Sequence, residues 1–387
     1  MPINFAQNTE SHARHGSGVS GHGEPLRILA IDVGAGTQDI LVYESDRTPE
    51  NCLKLVVPSQ THIAARAIRA VTVAAAPLHL AGGAMGGGAS AEAVSAHIAA
   101  GLRVTANPDA ARTLHNDLER VRRMGVLIRE TAPGDATVVQ LADVDLAALR
   151  GVLSTFAVEM PEIVAVAVQD HGFRPGAGNN AVRFEYLQSL IDRGGDLADA
   201  VFLDPPLEMT RMQAVAAAIP GVYLMDTGAA AVLGAMGDRR VAVAVADRGA
   251  ILINVGNMHT FATLVKGRRL FGLFEHHTGG ITAEILSDLV GRLRAGTIDN
   301  ATFTRDFDGH GAALDAAYRQ EGPFEFVTVT GPNRRVACGL VFHEAAPHGD
   351  MMLSGSFGLV EGVLLAMERT GRPTGLSLVA GSSANAS

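Results

Sequence analysis

The sequence predicts an α/β protein of two related halves. Each half is a mixed sheet with hairpin-linked strands at one edge and parallel strands beyond, and a cleft separates the two. Three observations lead there. Near the start, ILAID, ILVYE and CLKLVV are apolar runs set too close together for crossover helices, so hairpin connections follow. From residue 250 the stretch AILINVGNMHTFATLVKGRRLFGLFEHHTGG repeats that order of strand, glycine turn, strand, turn, strand and polar loop. Between them, IVAVAV and VYLMD are short apolar runs bounded by polar turns, as strands further into a sheet would be.

Taken in order, residues 1–24 hold no apolar core of the length a signal peptide needs and read as a His- and Gly-containing tail. After the three opening strands comes THIAARAIRA, helical by composition, then the apolar VTVAAAPLHLAGG. Helices are expected at 90–100, 109–124 and 145–156, before the strand IVAVAV. ADAVFL reads as a strand, RMQAVAAAI as a helix, and VYLMD as the strand it leads into. In the second half, strands end at Asn254 and run through 262–265 and 269–274, and a helix follows at 282–294. Asp32-Val33-Gly34 aligns with Asn254-Val255-Gly256, and Pro58-Ser59-Gln60-Thr61 with Glu275-His276-His277-Thr278. The expected division is a tail at 1–25, a first domain at 26–225, a second with connecting helices at 226–375, and a flexible tail at 376–387.

Composition narrows the function. The net charge is −9 and basic residues never run beyond pairs, so the electrostatic footprint of a nucleic-acid binder is missing. The most apolar long stretch is interrupted by Pro77, His79 and several glycines, which makes it a poor membrane span. Two cysteines, Cys52 and Cys338, suit a reducing cytosol and cannot build a cysteine-rich zinc site or a cluster within one chain. The expectation is a cytoplasmic protein acting on a small soluble molecule, with no nucleic-acid or membrane partner and an oligomeric state the sequence leaves open.

The chemistry concentrates in the turns. Gly34 and Gly36 remove Cβ atoms that would keep backbone N–H groups from an anion, and successive N–H groups form a nest for phosphate oxygens. Thr37 adds a hydroxyl, and Asp32 offers Mg2+ an oxygen ligand. Gly256, Asn257 and Thr260 form the matching second turn. A phosphate chain between the two is held from both sides, the positioning that phosphoryl transfer depends on. No GxxxxGK[ST] occurs, and the dinucleotide fingerprint fails because Asp39 stands where its third glycine belongs. His343-Glu344 and His348 imitate HExxH, but the imidazoles are one residue too far apart, with Pro347 between them.

The ordered set of motifs resembles the actin–hexokinase–sugar kinase superfamily, whose duplicated actin-like, ribonuclease H-like domains close over a nucleotide. Asp32 to Thr37 resembles its first phosphate motif and Asn254 to Thr260 its second. MDTGAAAVLGAM and SGSFGLVEGVLLAM resemble the two connecting helices, and VTVTGPNRR the turn that grips adenosine near Gly331. The resemblance implies ATP and Mg2+ as cofactors and a phosphotransferase or ATPase activity. It also implies a departure, because Asn254 stands where the superfamily has an acid. More narrowly, DVGAGTQD, QDHG and EHHTG resemble a family labelled as pyruvate formate-lyase activating enzymes. Such activators hold a cluster with three cysteines, and this chain has two.

Two further clusters are candidates for contact with the second substrate. Gln169-Asp170-His171-Gly172 leaves a strand's carboxyl end, where ligands gather in open α/β sheets. There Asp170 and His171 offer a general base or a phosphate sensor, and a capped turn is the bland reading. Glu275 and His276 face the expected cleft and offer contacts to a substrate or phosphate. Together with His277, and with His171 or His259 completing the set, they could instead hold a transition metal or merely cap the next helix. Neighbours in an extended segment point opposite ways, so His276 and His277 are not expected to share one ion. Two alternatives to the ATP-dependent enzyme follow: a nucleotide-gated regulator without a substrate, motivated by Asn254, and a metal-dependent enzyme on the same scaffold.

Overall fold

A computed structural model describes residues 24–177, 180–307 and 310–381. The expected N-terminal tail falls almost wholly outside these residues. The opening strands form as the spacing requires: β1 (Arg27–Val33), β2 (Thr37–Glu44) and β3 (Leu53–Pro58) make an antiparallel meander. The chain then leaves this sheet to build another. β4 (Leu78–Gly82), β5 (Val104–Ala106), β6 (Val126–Ile128) and β7 (Thr137–Leu141) form a separate parallel sheet in the order 6-5-4-7. It returns with β8 (Ile163–Val168), β9 (Val201–Phe202) and β10 (Tyr223–Met225), giving a first large sheet in the order 3-2-1-8-10-9. β8 lies parallel between β1 and β10, and its unbroken apolar run fits burial on both faces.

The second half repeats the plan with β11 (Ala250–Val255), β12 (His259–Lys266), β13 (Arg269–His277), β14 (Gly311–Leu314), β15 (Phe326–Thr330) and β16 (His343–Glu344). Their order is 14-13-12-11-15-16, with β15 parallel to β11 as β8 is to β1. The fold is therefore the doubled α/β, actin-like arrangement that the motif order implies. The turns match as well: Gly34 N–H donates to Thr37 O, and Gly256 N–H to His259 O, each at 2.9 Å. This sets a register two residues away from the alignment read in the sequence. Thr37 pairs with Pro58 and His259 with His277, so Pro58 corresponds to His277 and not to Glu275.

Two helices cross between the large sheets, Thr227–Ala235 and Ser354–Arg369. They touch backbone to backbone. A Cβ on Gly234 would lie 1.6 Å from Ser354 O, and one on Gly358 would lie 1.7 Å from Ala230 O, so only glycine permits the crossing. The stretch Met351–Arg369 is the one described segment long and apolar enough to cross a membrane, yet 72% of it is buried inside the protein as a core helix. Residues 376–381, expected to be flexible, are docked on it: Leu378 is buried and its N–H donates to Glu361 Oε2 at 2.6 Å. The helix expected at 109–124 is broken into Pro108–Ala111 and Leu118–Arg123, because Asn107 and Asp117 each cap a new first turn. ADAVFL contributes only the two residues of β9, preceded by a 3-10 turn at Leu197–Ala200.

Candidate functional site

A cavity of about 660 Å³, within the usual range for small-molecule sites, opens where the two glycine turns meet. Gly34, Thr37, Gly256, Asn257, Gly331 and Pro332 line it. The turns stand against each other: a Cβ on Gly36 would lie 2.8 Å from Asn257 Nδ2. Gly36 itself lies behind this contact, off the cavity wall. Thr260 is also off the wall, fully buried with its hydroxyl 3.1 Å from that of Thr278. Strand alternation is the reason, since His259 and Phe261 take the cavity face of β12 and Thr260 the other.

Asp32 is joined by an acid the motif reading passed over. In the β1–β2 register Asp32 sits directly opposite Asp39, and both line the cavity while almost fully buried. One oxygen of each, Oδ1, has no hydrogen-bond partner among the described residues. Burial, then the neighbouring Asp39 carboxylate, pushes Asp32 well above the usual carboxylate range, and burial brings Asp39 up to about 6. A Cβ on Gly355 would lie 1.9 Å from Asp32 Oδ2, so this carboxylate meets the first turn of helix Ser354–Arg369, an end that favours an anion. Two buried carboxylates with spare oxygens form an oxygen donor set that fits a hard divalent cation such as Mg2+. In the second half Asn254 lies opposite Phe261, so that half has no counterpart of this acid pair.

The opposite wall is a charged and imidazole network. Arg183, on helix Ala181–Asp192, donates from Nε to Glu275 Oε2 at 2.7 Å, from Nη2 to Asp226 Oδ1 at 2.9 Å, and from Nη1 to Asp170 O at 3.1 Å. Nη1 also reaches Asp226 Oδ2. One buried cation thus ties the second half's β13 to the helix cap at Asp226 and to the loop after β8. Burial alone would raise Glu275, but Arg183 and the nearby imidazoles hold its carboxyl well below the usual range. Gln169 bridges the halves, bonding Glu275 Oε1 through its amide nitrogen and His259 Nδ1 through its amide oxygen. Burial lowers His171 to about 4 and His259 to about 3, so both are neutral imidazoles near pH 7.

Asp170, His171 and Glu275 all line the cavity, but they do different work. Asp170 accepts backbone N–H groups from Gly172, Arg211 and Met212 at 2.8, 2.8 and 2.9 Å, which is the capped-turn reading of that residue. His171 faces His259 and His310 across the cleft, with ring centroids 5.7 and 5.5 Å away. His276 is turned off the cavity wall. It is buried against Phe303, and its Nδ1 lies 2.8 Å from His277 O. The alternation that places Glu275 on the cavity face puts His277 there too. The inserted parallel sheet supplies a further wall: Arg211 Nε and Nη2 each donate to Asp143 at 2.7 Å, and Gly86 N–H donates to the same carboxylate at 3.1 Å.

Two α/β halves with matched glycine turns, closing on one cavity beside paired acids, define an actin-like fold. The chain belongs to the family described as "Putative pyruvate format-lyase activating enzyme (DUF1786)", which matches residues 85–336. Its two cysteines are free and cannot supply a three-cysteine cluster motif. No curated protein matches the chain in sequence. Among solved structures, ethanolamine utilization protein EutJ from Carboxydothermus hydrogenoformans is 11% identical and covers 87% of this chain and 89% of its own, with a TM-score of 0.29. The PilM–PilN type IV pilus biogenesis complex is 13% identical, with 87% and 98% covered and a TM-score of 0.34. A ROK family glucokinase from Streptomyces griseus, in complex with glucose and AMPPNP, is 13% identical, with 88% and 99% covered and a TM-score of 0.31.

Proposed function

We propose that the cavity binds MgATP and that the protein is an ATP-dependent phosphotransferase or ATPase acting on a small molecule. One observation carries the reading: matched turns from both halves meet over a single cavity that also contains two buried acids with unbonded oxygens. Backbone N–H groups around Gly34 and Gly256, with Thr37 and Asn257, would hold the phosphates. Asp32 and Asp39 would hold magnesium, so the charge missing at Asn254 is supplied across the first hairpin. Adenosine would lie toward Gly331 and Pro332. The second substrate would meet the wall of His171 and Glu275, with water kept out as the halves close.

Calorimetry with MgATP on the wild type and on Asp32→Ala tests this. Binding by the wild type, weakened at least about tenfold in the variant, a loss of about 1.4 kcal/mol, is the expected result. Equal heats, or none from either protein, would overturn it. The neutral Asn254 favours one second reading, a nucleotide-gated regulator, and binding without any release of ADP would select it.

A further inference from the structure

We propose that His259, His277 and His310 form a site for a divalent transition metal ion, open toward the cavity and distinct from the acid pair. The backbone sets the three imidazoles together. His259 and His277 are direct cross-strand partners at the ends of β12 and β13, and so share a face. His310 immediately precedes β14, and its N–H donates to Glu275 O at 3.0 Å, which brings its ring beside the other two. One ring nitrogen from each residue lies within 4.8 Å of the others, and the Nε2 atoms of His277 and His310 are 2.8 Å apart. An ion about 2.1 Å from each nitrogen needs them about 3.0–3.4 Å apart, so small ring rotations complete the site.

The surroundings fix the rings as ligands need. Gln169 has to present its amide N–H to the Glu275 carboxylate, which only accepts, and therefore presents its oxygen to His259 Nδ1. His259 is thereby an Nδ1–H tautomer with a bare lone pair on Nε2. His310 Nδ1 stands 3.5 Å from Glu275 Oε1 without a hydrogen-bond partner among the described residues, and a small ring rotation would bring it into the carboxylate–imidazole contact that orients metal-binding histidines. Three imidazoles and no thiolate suit zinc or another first-row ion rather than magnesium. Three protein ligands with one position left open are the pattern of a catalytic site and not of a structural one. Across the cleft His171 faces that opening, and its Nδ1 is buried without a hydrogen-bond partner among the described residues. It is placed to bond a water or an oxyanion held as the fourth ligand.

The test is Co2+ titration of the full chain without nucleotide, followed by visible absorption, with Zn2+ as competitor. Because His12, His15 and His22 are further imidazoles in the sequence, the titrations start from a parent variant with His12→Asn, His15→Asn and His22→Asn. One Co2+ per chain with ligand-field bands is expected. His277→Ala, at an exposed position where truncation leaves the core intact, and His310→Ala should each weaken binding about a hundredfold or more, and Gln169→Ala about tenfold. Binding that is absent in the parent, or unchanged in both histidine variants, would overturn the proposal. Neither result bears on MgATP, which is measured separately.

Discussion

Replacing Arg183 with methionine isolates the energetic keystone of the cleft wall. The guanidinium is 4% exposed and faces two carboxylates, Glu275 and Asp226, across hydrogen bonds of 2.7 and 2.9 Å. Methionine fills much of the volume but leaves two buried negative charges without a counter-ion. Removing one partner of such a pair costs about 3–5 kcal/mol. Urea denaturation at pH 7.5, followed by far-UV circular dichroism, reads this as a lower midpoint. The gap should narrow in acid. Glu275 has a depressed pKa in the folded wild type, so its contribution is present above the unfolded value of about 4.3 and is lost as pH falls below it. In the variant the unpaired carboxyl takes up a proton at higher pH and relieves part of the penalty. Adding Glu275→Gln to Arg183→Met should recover part of the loss at pH 7.5. Midpoints equal to the wild type at pH 7.5, or a gap that widens in acid, would refute the reasoning.

Two other outcomes are expected. Asp39 has a folded pKa of about 6, above its unfolded value of about 4, so its ionisation removes stability as pH rises between the two; Asp39→Asn should be more stable than the wild type by about 2–3 kcal/mol at pH 8 and indistinguishable below pH 4, and Mg2+ should raise the melting temperature of the wild type alone. A less stable variant at pH 8, or one that keeps the full Mg2+ response, would contradict the cation role. Gly358→Ala places a methyl group 1.7 Å from Ala230 O and should destabilise by about 3 kcal/mol or more, seen as a fall in melting temperature; an unshifted melt would mean the helices do not cross as described.

The opening hairpins and the duplication were legible because strand spacing and glycine turns are local signals. The inserted sheet was not. β5 and β6 are three residues each, too short to show a period, so no strand was expected in either stretch. Within the site, the turns could be found but their facing residues were misassigned. The two-residue shift in the second hairpin keeps each strand's faces unchanged and does not account for His276 and Thr260; those were each one position out, and strand alternation puts their neighbours His277 and His259 on the cavity face. Asp39 was recoverable, since closing the 34–37 turn sets it opposite Asp32. Arg183 and His310 carried no such signal: one lies on a helix that composition did not reveal, the other beside an edge strand distant from its partners in sequence.

The glycine crossing of helices Thr227–Ala235 and Ser354–Arg369 has a mechanical consequence. With main chain pressed on main chain, no slack is left for one lobe to slide past the other. Relative movement is confined to a swing about this axle, small at the acid pair beside Gly355 and growing with distance from it.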